Sequence, residues 1–421
     1  MRFILFPLLV VGLLTRPSVA QQSPAPAGPE LSLQQARLRA EQVSPELASA
    51  RAALRAAEGR ARQAGAFPNP VASYSREQTS GSGIETSQDI IALQQSLELG
   101  GQRGARRDAA EQLRAANEAR LSAARSQLAF EVTRTYAQAV AADRRAALTD
   151  QAAQIFGEAG RVGRERLAAG DISGYEHRRI RLESARYAAL RAEAGLARTK
   201  ARRALATLLS GPDRPVQPEA LVLTDTMTGG KLSVGMDSLV ILASVRRPEL
   251  LALDREAAAA QAEARLARAE RVPSPSFGGG YKREQAPGGG SLDGFTAQLS
   301  LPLALWDRRG GAVQAAEAEV ERRRADRDAF LRRTELEVRE AYDAYQALAA
   351  QLTALGSRIQ EDARPGIRAA QAAYREGETS LIEWLDAVRA FHEAESTFAA
   401  LAAEHTAQRA TLERLTGLTL F

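Results

Sequence analysis

Four stretches of the chain alternate between apolar and polar side chains, which is the pattern of a β-strand with one apolar and one polar face. In the last of them, one face carries Phe295, Ala297, Leu299, Leu301 and Leu303. The alternation predicts strands at 69–78, 89–99, 276–285 and 294–303. Segments rich in glycine and serine join these strands into two hairpins, 69–99 and 276–303.

Each hairpin leads into a very long segment of helical spacing that is rich in Ala, Arg, Glu and Gln. We predict helices at 103–168 and 308–376, each about 100 Å long at about 1.5 Å per residue. Tight turns at Gly170 and Gly377 then reverse the chain. Two further helices are predicted after these turns, at 171–210 and 379–417. Two more are predicted before the hairpins, at 31–66 and 236–271, and each of these two ends at a pair of prolines.

The chain contains an internal duplication. Pro45-Glu46-Leu47 recurs as Pro248-Glu249-Leu250, and "SLELGGQRG" at 96–104 recurs as "PLALWDRRG" at 302–310. Further matches follow in the same order, with offsets between 203 and 207 residues, which is more than chance similarity provides. The sequence therefore predicts two repeats, 21–210 and 236–421, joined by a linker at 211–235 that is rich in proline and glycine.

The composition favours long packed helices over a thick core, because 45% of residues are hydrophobic but only 5% are aromatic. Residues 1–20 have the layout of a secretory signal peptide, with basic Arg2, an apolar run and small residues before Gln21. The chain has no cysteine, so we expect neither disulfides nor a lipid anchor on cysteine. The net charge of +5 is spread among acidic residues, so we expect no nucleic-acid partner.

The strands have the length that a tilted strand needs to cross a bilayer, about ten residues. Lipid does not tolerate an open sheet edge, and four strands are too few to close a barrel. Either the sheet lies outside a membrane or several chains contribute to one barrel. Aromatic residues near the predicted strand ends favour a membrane interface over the core of a soluble sandwich, namely Tyr74, Tyr281, Phe295 and Trp306.

No catalytic motif and no metal site can be found in the sequence. The histidines His177, His392 and His405 are dispersed, with no pair one helical turn apart. Gly229-Gly230-Lys231 has Asp225 where a phosphate loop needs its first glycine. We therefore expect no enzyme and no cofactor.

This layout resembles that of the TolC-type outer-membrane efflux proteins over nearly the whole chain after the signal peptide. The resemblance is carried by "PNP" and "PSP" before the strands, by "LELGGQRGAR" and "LPLALWDRRGGAV" after them, and by the turn sequences "RLAAGDIS" and "YREGETSLIEWLDA". It implies a mostly α fold with a membrane β part, in which a homotrimer forms a twelve-strand outer-membrane barrel that continues into a twelve-helix periplasmic barrel. It also implies a periplasmic adaptor and an inner-membrane RND pump as partners.

The segments that leave the strands are most similar to those of the outer-membrane component of cobalt-zinc-cadmium efflux systems. The resemblance thus implies export of heavy-metal cations. The same architecture can instead serve drugs, solvents or a secreted polypeptide. A periplasmic coiled-coil scaffold or adaptor without a pore is a further alternative.

The resemblance also implies residue roles at the helical turns. Glu383 and Asp386 are three residues apart, so they share one helix face, and the family carries such an acidic pair at the narrow end of the tunnel, where it can gate and select cations. From the residues alone, an ordinary solvated helix face is the better explanation of this pair. Their first-half counterparts are Glu176 and Arg179, and Arg179 can pair with a neighbouring helix and hold the end closed.

The two turns are implied to be the tips that dock the adaptor. Their residues are Gly170, Asp171, Ser173, Gly377, Glu378 and Thr379. Any helical hairpin needs such residues, since glycine provides a left-handed stop and Ser173 or Thr379 can cap the next helix.

Overall fold

The structure is a computed structural model that describes residues 30–81, 84–225, 232–285, 288–376 and 378–419. The predicted signal peptide, Gly377 and the Gly229-Gly230-Lys231 segment lie outside the described residues. The predicted mostly helical fold is confirmed. Barrel closure and the trimer remain predictions.

The two halves of the chain repeat one order of elements. The first half contains β1 (Glu30–Leu31), α1 (Leu33–Val43), α2 (Pro45–Ala64), β2 (Val71–Gly81), β3 (Ile84–Ser96), α3 (Gln102–Ala169) and α4 (Gly174–Leu209). The linker contains a short 3₁₀ turn (Pro218–Ala220) and β4 (Val222–Leu223), which pairs in parallel with β1. The second half contains α5 (Met236–Arg246), α6 (Pro248–Ala269), β5 (Ser276–Gln285), β6 (Ser291–Ser300), α7 (Gly310–Arg358), a π-helical turn (Ile359–Ala363), α8 (Arg364–Glu376) and α9 (Leu381–Thr416).

The helix before each hairpin is broken, so the single helices predicted at 31–66 and 236–271 are wrong. The break precedes Pro45 in the first half and Pro248 in the second, and each proline is the first residue of a new helix. A residue before proline is driven out of the helical region, and Ser44 is extended with φ −60° and ψ 121°. The Ser44 hydroxyl accepts the Leu47 N–H at 3.2 Å. The recurring Pro-Glu-Leu is thus a duplicated helix start.

The helix predicted at 308–376 is also interrupted, since the π-helical turn separates α7 from α8. Pro365 lies one residue inside α8. Proline has no N–H for the carbonyl four residues earlier, and its ring clashes with that carbonyl, so the turn widens to accommodate it. Helix α3 contains no proline and is continuous over 68 residues.

The four long strands form one antiparallel sheet in the order β2-β3-β5-β6, separate from the short β1–β4 pair. The first hairpin is longer than predicted, because residues assigned to its loop continue the ladder to the pair Gly81–Ile84. The two hairpins meet along β3 and β5. Within the described residues, β2 and β6 each pair along one side only, so the sheet has two edges.

The helices pack around α3, which contacts α2, α4, α6 and α9, and α9 also contacts α7 and α8. The buried side chains form separate clusters along the bundle rather than one thick core. One cluster surrounds Val132 and Leu205 near β1, and another surrounds Phe156 and Tyr187 near the α3–α4 turn. No helix in the described part of the chain is both long enough and apolar enough to cross a bilayer.

Candidate functional sites at the sheet and the helical turns

The sheet has one apolar and one polar face. Side chains on each strand alternate between the two faces, and the register places the apolar residues of neighbouring strands on the same face. Rows of neighbouring residues on the apolar face are Ala72, Leu93, Gly279 and Ala297, then Tyr74, Ile91, Tyr281 and Phe295. Rows on the opposite face are Val71, Gln94, Gly278 and Gln298, then Ser73, Ala92, Gly280 and Thr296. The second face is mostly polar or small, although it also carries Val71, Ile90 and Leu292. A mostly polar face suits the lining of a water-filled channel.

Three of the four predicted interface aromatics, Tyr74, Tyr281 and Phe295, lie in one row of the apolar face, but not at the strand ends where the sequence pattern placed them. Phe295 is the fifth of the ten residues of β6 and is 93% exposed. The fourth aromatic, Trp306, lies beyond β6 and is 94% exposed. Their role at a membrane interface remains a proposal.

The turn between α3 and α4 has the predicted chemistry. Gly170 has φ +83°, the left-handed conformation that ends a helix. Ser173 caps α4, with its hydroxyl accepting the Glu176 N–H at 3.1 Å, while the Glu176 carboxylate accepts the Ser173 N–H at 2.8 Å. Glu176 is therefore a capping residue, and the backbone and side-chain hydrogen bonds from Ser173 to its carboxylate lower its pKa.

The turn before α9 departs from the prediction, because Ser380 and not Thr379 is the cap. The Ser380 hydroxyl accepts the Glu383 N–H at 3.2 Å, and the Glu383 carboxylate accepts the Ser380 N–H at 2.8 Å. This box lies 207 residues after the Ser173–Glu176 box, so the duplication could have located it. The Thr379 hydroxyl is buried with no hydrogen-bond partner within the described residues.

The predicted acidic pair consists of two carboxylates with different environments. Glu383 is held by its cap, and the backbone and side-chain hydrogen bonds from Ser380 lower its pKa. Asp386 instead faces two arginines, with Arg179 Nη2 3.6 Å and Arg389 Nη2 3.1 Å from its carboxylate oxygens. Arg179 thus pairs across from α4 to α9, as the sequence suggested it can. Both side chains are nearly half exposed, so water limits the strength of this pair to about 1 kcal/mol or less.

Sequence reasoning missed a buried carboxylate above the turns. Glu395 on α9 is only 4% exposed and accepts from Arg144 Nη2 of α3 at 3.1 Å and from Arg364 Nη2 of α8 at 3.0 Å. It therefore connects three helices directly beside the π-helical turn. A signal was present, because Glu395 stands seven residues after Val388 and seven before Ala402, in a series of otherwise apolar buried positions.

The histidines are packed among helices and do not converge. His392 Nε2 lies 3.0 Å from the Thr149 hydroxyl, and the ring meets Tyr187 edge-on at 5.5 Å. His405 stacks on Tyr345 at 4.6 Å. Burial lowers the pKa of both rings. In the part of the chain that the structure describes, no group of three or more His, Asp or Glu side chains is placed to hold a metal ion.

An amphipathic four-stranded sheet that continues into two sets of long, duplicated helices defines the TolC-like fold of outer-membrane channels. Residues 36–211 and 239–418 both match the model of the outer membrane efflux protein family, so the chain belongs to this family.

Three similar proteins illustrate the relationship. The cobalt-zinc-cadmium resistance protein CzcC of Cupriavidus metallidurans is 26% identical over 399 residues, covering 93% of this chain and 91% of that protein. A crystal structure of a Pseudomonas aeruginosa membrane protein has a TM-score of 0.74 at 23% identity, covering 91% of this chain and 93% of the other. The Campylobacter jejuni CmeC outer membrane channel has a TM-score of 0.76 at 17% identity, covering 92% and 86%.

Proposed function

We propose that this chain is the outer-membrane exit channel of a tripartite RND-type efflux system in a Gram-negative bacterium, and that it exports divalent heavy-metal cations such as cobalt, zinc and cadmium. The observation that carries the proposal is the two-faced sheet, whose mostly polar face continues into long helices in a chain of the outer membrane efflux family. The similarity to a cobalt-zinc-cadmium resistance protein supports the cargo. The channel is passive, so the pump supplies the energy and no cofactor is needed.

A homotrimer accounts for the two edges of the sheet. Backbone groups of β2 and β6 that lack a partner strand cannot face lipid. Three copies of a four-stranded sheet supply twelve strands, which is within the range that closes a membrane barrel. Strand β2 of one copy would then pair with strand β6 of the next.

An unpartnered surface on α4 supports the same assembly. Ile180 and Tyr187 on one face of α4 are buried within the chain. On another face Tyr175, Leu182 and Leu196 are each about 70% exposed, and they recur at multiples of seven residues. We call these three residues the α4 seam. Such spacing fits a helix of a neighbouring copy, which would cover these side chains.

We assign the gate to Asp386 and its partner Arg179. Three copies of Asp386 would form a carboxylate ring that favours cations, and the exposed ion pair is weak enough to exchange during opening. Glu383 and Glu176 would support the gate by fixing the starts of their helices. The turns that contain Gly170, Asp171, Ser173, Gly377, Glu378 and Thr379 would dock the periplasmic adaptor.

Metal tolerance tests the cargo. A strain that lacks the gene should become sensitive to zinc, cobalt and cadmium, and the intact gene should restore tolerance. Unchanged metal tolerance with lost tolerance to drugs or solvents would favour the alternative cargo.

Planar bilayers test the channel itself. The purified protein should give cation-preferring conductance, whereas a buffer-soluble protein without conductance would be a scaffold. Asp386→Asn should reduce the cation preference and Arg179→Gln should raise the open fraction, because the first removes the carboxylate and the second removes its partner. Glu340→Gln, which changes an exposed acid on α7, is the control and should leave both unchanged.

A further inference from the structure

A row of four charged side chains crosses the sheet directly beyond the aromatic row. The register places them next to one another in the order Arg76, Asp89, Arg283 and Asp293. They lie on the apolar face, because each is two residues from a member of the row Tyr74, Ile91, Tyr281 and Phe295. Adjacent strands are about 4.8 Å apart, so charges of alternating sign repeat at roughly that spacing.

The apolar face changes character at this row. The next row beyond it is entirely polar and consists of Gln78, Ser87, Gln285 and Ser291. In the other direction the apolar face of β6 continues through Phe295, Ala297 and Leu299 until the strand ends at Ser300. Charges on a lipid-facing surface are costly at the bilayer centre and tolerated at its surface. The row therefore lies where lipid headgroups begin.

The aspartates in the row are each held through one oxygen only. The Tyr74 hydroxyl donates to Asp89 Oδ1 at 2.8 Å, and Arg76 Nη1 lies 3.8 Å from the same oxygen. The second hairpin repeats the arrangement, since Tyr281 and Arg283 both donate to Asp293 Oδ1. No hydrogen bond within the described residues involves Oδ2 of either aspartate. Both arginine side chains are 55% exposed.

We propose that this row binds membrane-lipid headgroups that carry both a phosphate and an ammonium group. Arginine donors suit phosphate oxygens, and the unused aspartate oxygens can accept from an ammonium group. The row has no net charge, so a zwitterionic headgroup matches its alternating signs, whereas an anionic headgroup also meets two carboxylates. The inference rests on the proposed function, since it requires the apolar face of the sheet to contact lipid.

The test is lipid retention by the assembled protein. The detergent-purified protein is offered equal amounts of phosphatidylethanolamine, phosphatidylglycerol and monogalactosyldiacylglycerol with identical acyl chains, and native mass spectrometry counts the bound lipids. The wild type should retain phosphatidylethanolamine preferentially. Arg76→Gln/Arg283→Gln should reduce that retention about tenfold, and Asp89→Asn/Asp293→Asn should shift the preference to phosphatidylglycerol because the row becomes positive.

Lys282→Gln is the matched control, because Lys282 is the neighbour of Arg283 on the opposite face of β5 and its loss should not change retention. General damage to the fold would lower the retention of every lipid, so it cannot explain a shift of preference to phosphatidylglycerol in the double asparagine variant. A double arginine variant with wild-type lipid ratios, or a double asparagine variant that still prefers phosphatidylethanolamine, would overturn the inference. Equal retention of all three lipids by a conducting wild type also overturns it, whereas a wild type that neither conducts nor retains lipid refutes the proposed function.

Discussion

The carboxylate of Glu395 should anchor α8 to the rest of the helical wall. Helix α8 has no fully buried residue within the chain. Its attachments to the neighbouring helices include the bond from Arg364 to Glu395 and the stacking of Tyr374 on Trp384 at 5.1 Å. Replacing Glu395 by alanine removes the first of these and also the bond from Arg144.

The magnitude follows from the burial of the three groups. Glu395 is 4% exposed, and its bonds to Arg144 and Arg364 are charge-assisted. The arginine side chains are 52% and 42% exposed, so water can replace the carboxylate once it is gone. The cost is therefore below that of stranding a buried charge, and we expect about 2 kcal/mol. If the whole loss of about 2 kcal/mol lowers the free energy of local opening of α8, the equilibrium constant for that opening rises about thirtyfold.

Hydrogen exchange followed by mass spectrometry measures this opening segment by segment. In Glu395→Ala, amides of 364–376 should exchange about thirtyfold faster, while those of α3 around Val132 should not change. Glu393→Ala, two residues away and exposed, is the control and should have no effect. Exchange of α8 within twofold of the wild type, or an equal increase in the control, would refute the assignment of Glu395 as an anchor.

Three further predictions concern the helix ends and pH. Ser380→Ala should destabilise the start of α9 by about 1 kcal/mol, whereas Thr379→Ala should not, as measured by proteolysis at this turn. Gly417→Ala should destabilise the C-terminal end of α9 in thermal unfolding, because φ is +66° and a Cβ atom would lie 2.6 Å from a backbone oxygen. In the same measurement Gly59→Ala should stabilise the protein by about 0.5–1 kcal/mol, because Gly59 lies in a helix and a Cβ atom there meets open space. The pKa of Glu383 is lowered in the folded protein, so its cap contributes stability at pH values above the ordinary glutamate pKa of 4.5. This stability is lost as the pH falls through the folded pKa, so proteolysis at this turn should accelerate only below about pH 4.5.

The sequence predicted the long-range plan of the fold well, because duplication and alternation are strong signals. The helix predicted at 103–168 is observed as Gln102–Ala169, since no breaker interrupts it and Gly170 ends it. The errors occur where one residue overrides a periodic pattern. Pro45 and Pro365 were visible in the sequence, yet the helical spacing on both sides concealed the break and the π-helical turn that they cause.

At the candidate sites, residue type was predictable but partnership was not. Asp386 and Glu383 look equivalent on a helix face. The duplication could have located the cap that holds Glu383, but only the fold shows that Asp386 faces Arg179. The charged row of the sheet depends on a register between hairpins some two hundred residues apart, which no local pattern specifies. The Glu395 connection likewise depends on three helices that meet only in the folded chain.

The π-helical turn makes the two helical turns of each chain, between α3 and α4 and between α8 and α9, structurally different. An exact duplication would make the two helical turns of each chain identical to a binding protein. A complex of several copies would then present twice as many identical turns as chains. Within the described residues, the widened turn follows α7 and has no counterpart in α3, so the side chains of α8 are rotated about the helix axis relative to an uninterrupted helix. A protein that binds these turns therefore meets two different surfaces in equal numbers. It must either bind one kind of turn, with one copy per chain, or bind the two kinds through different contacts.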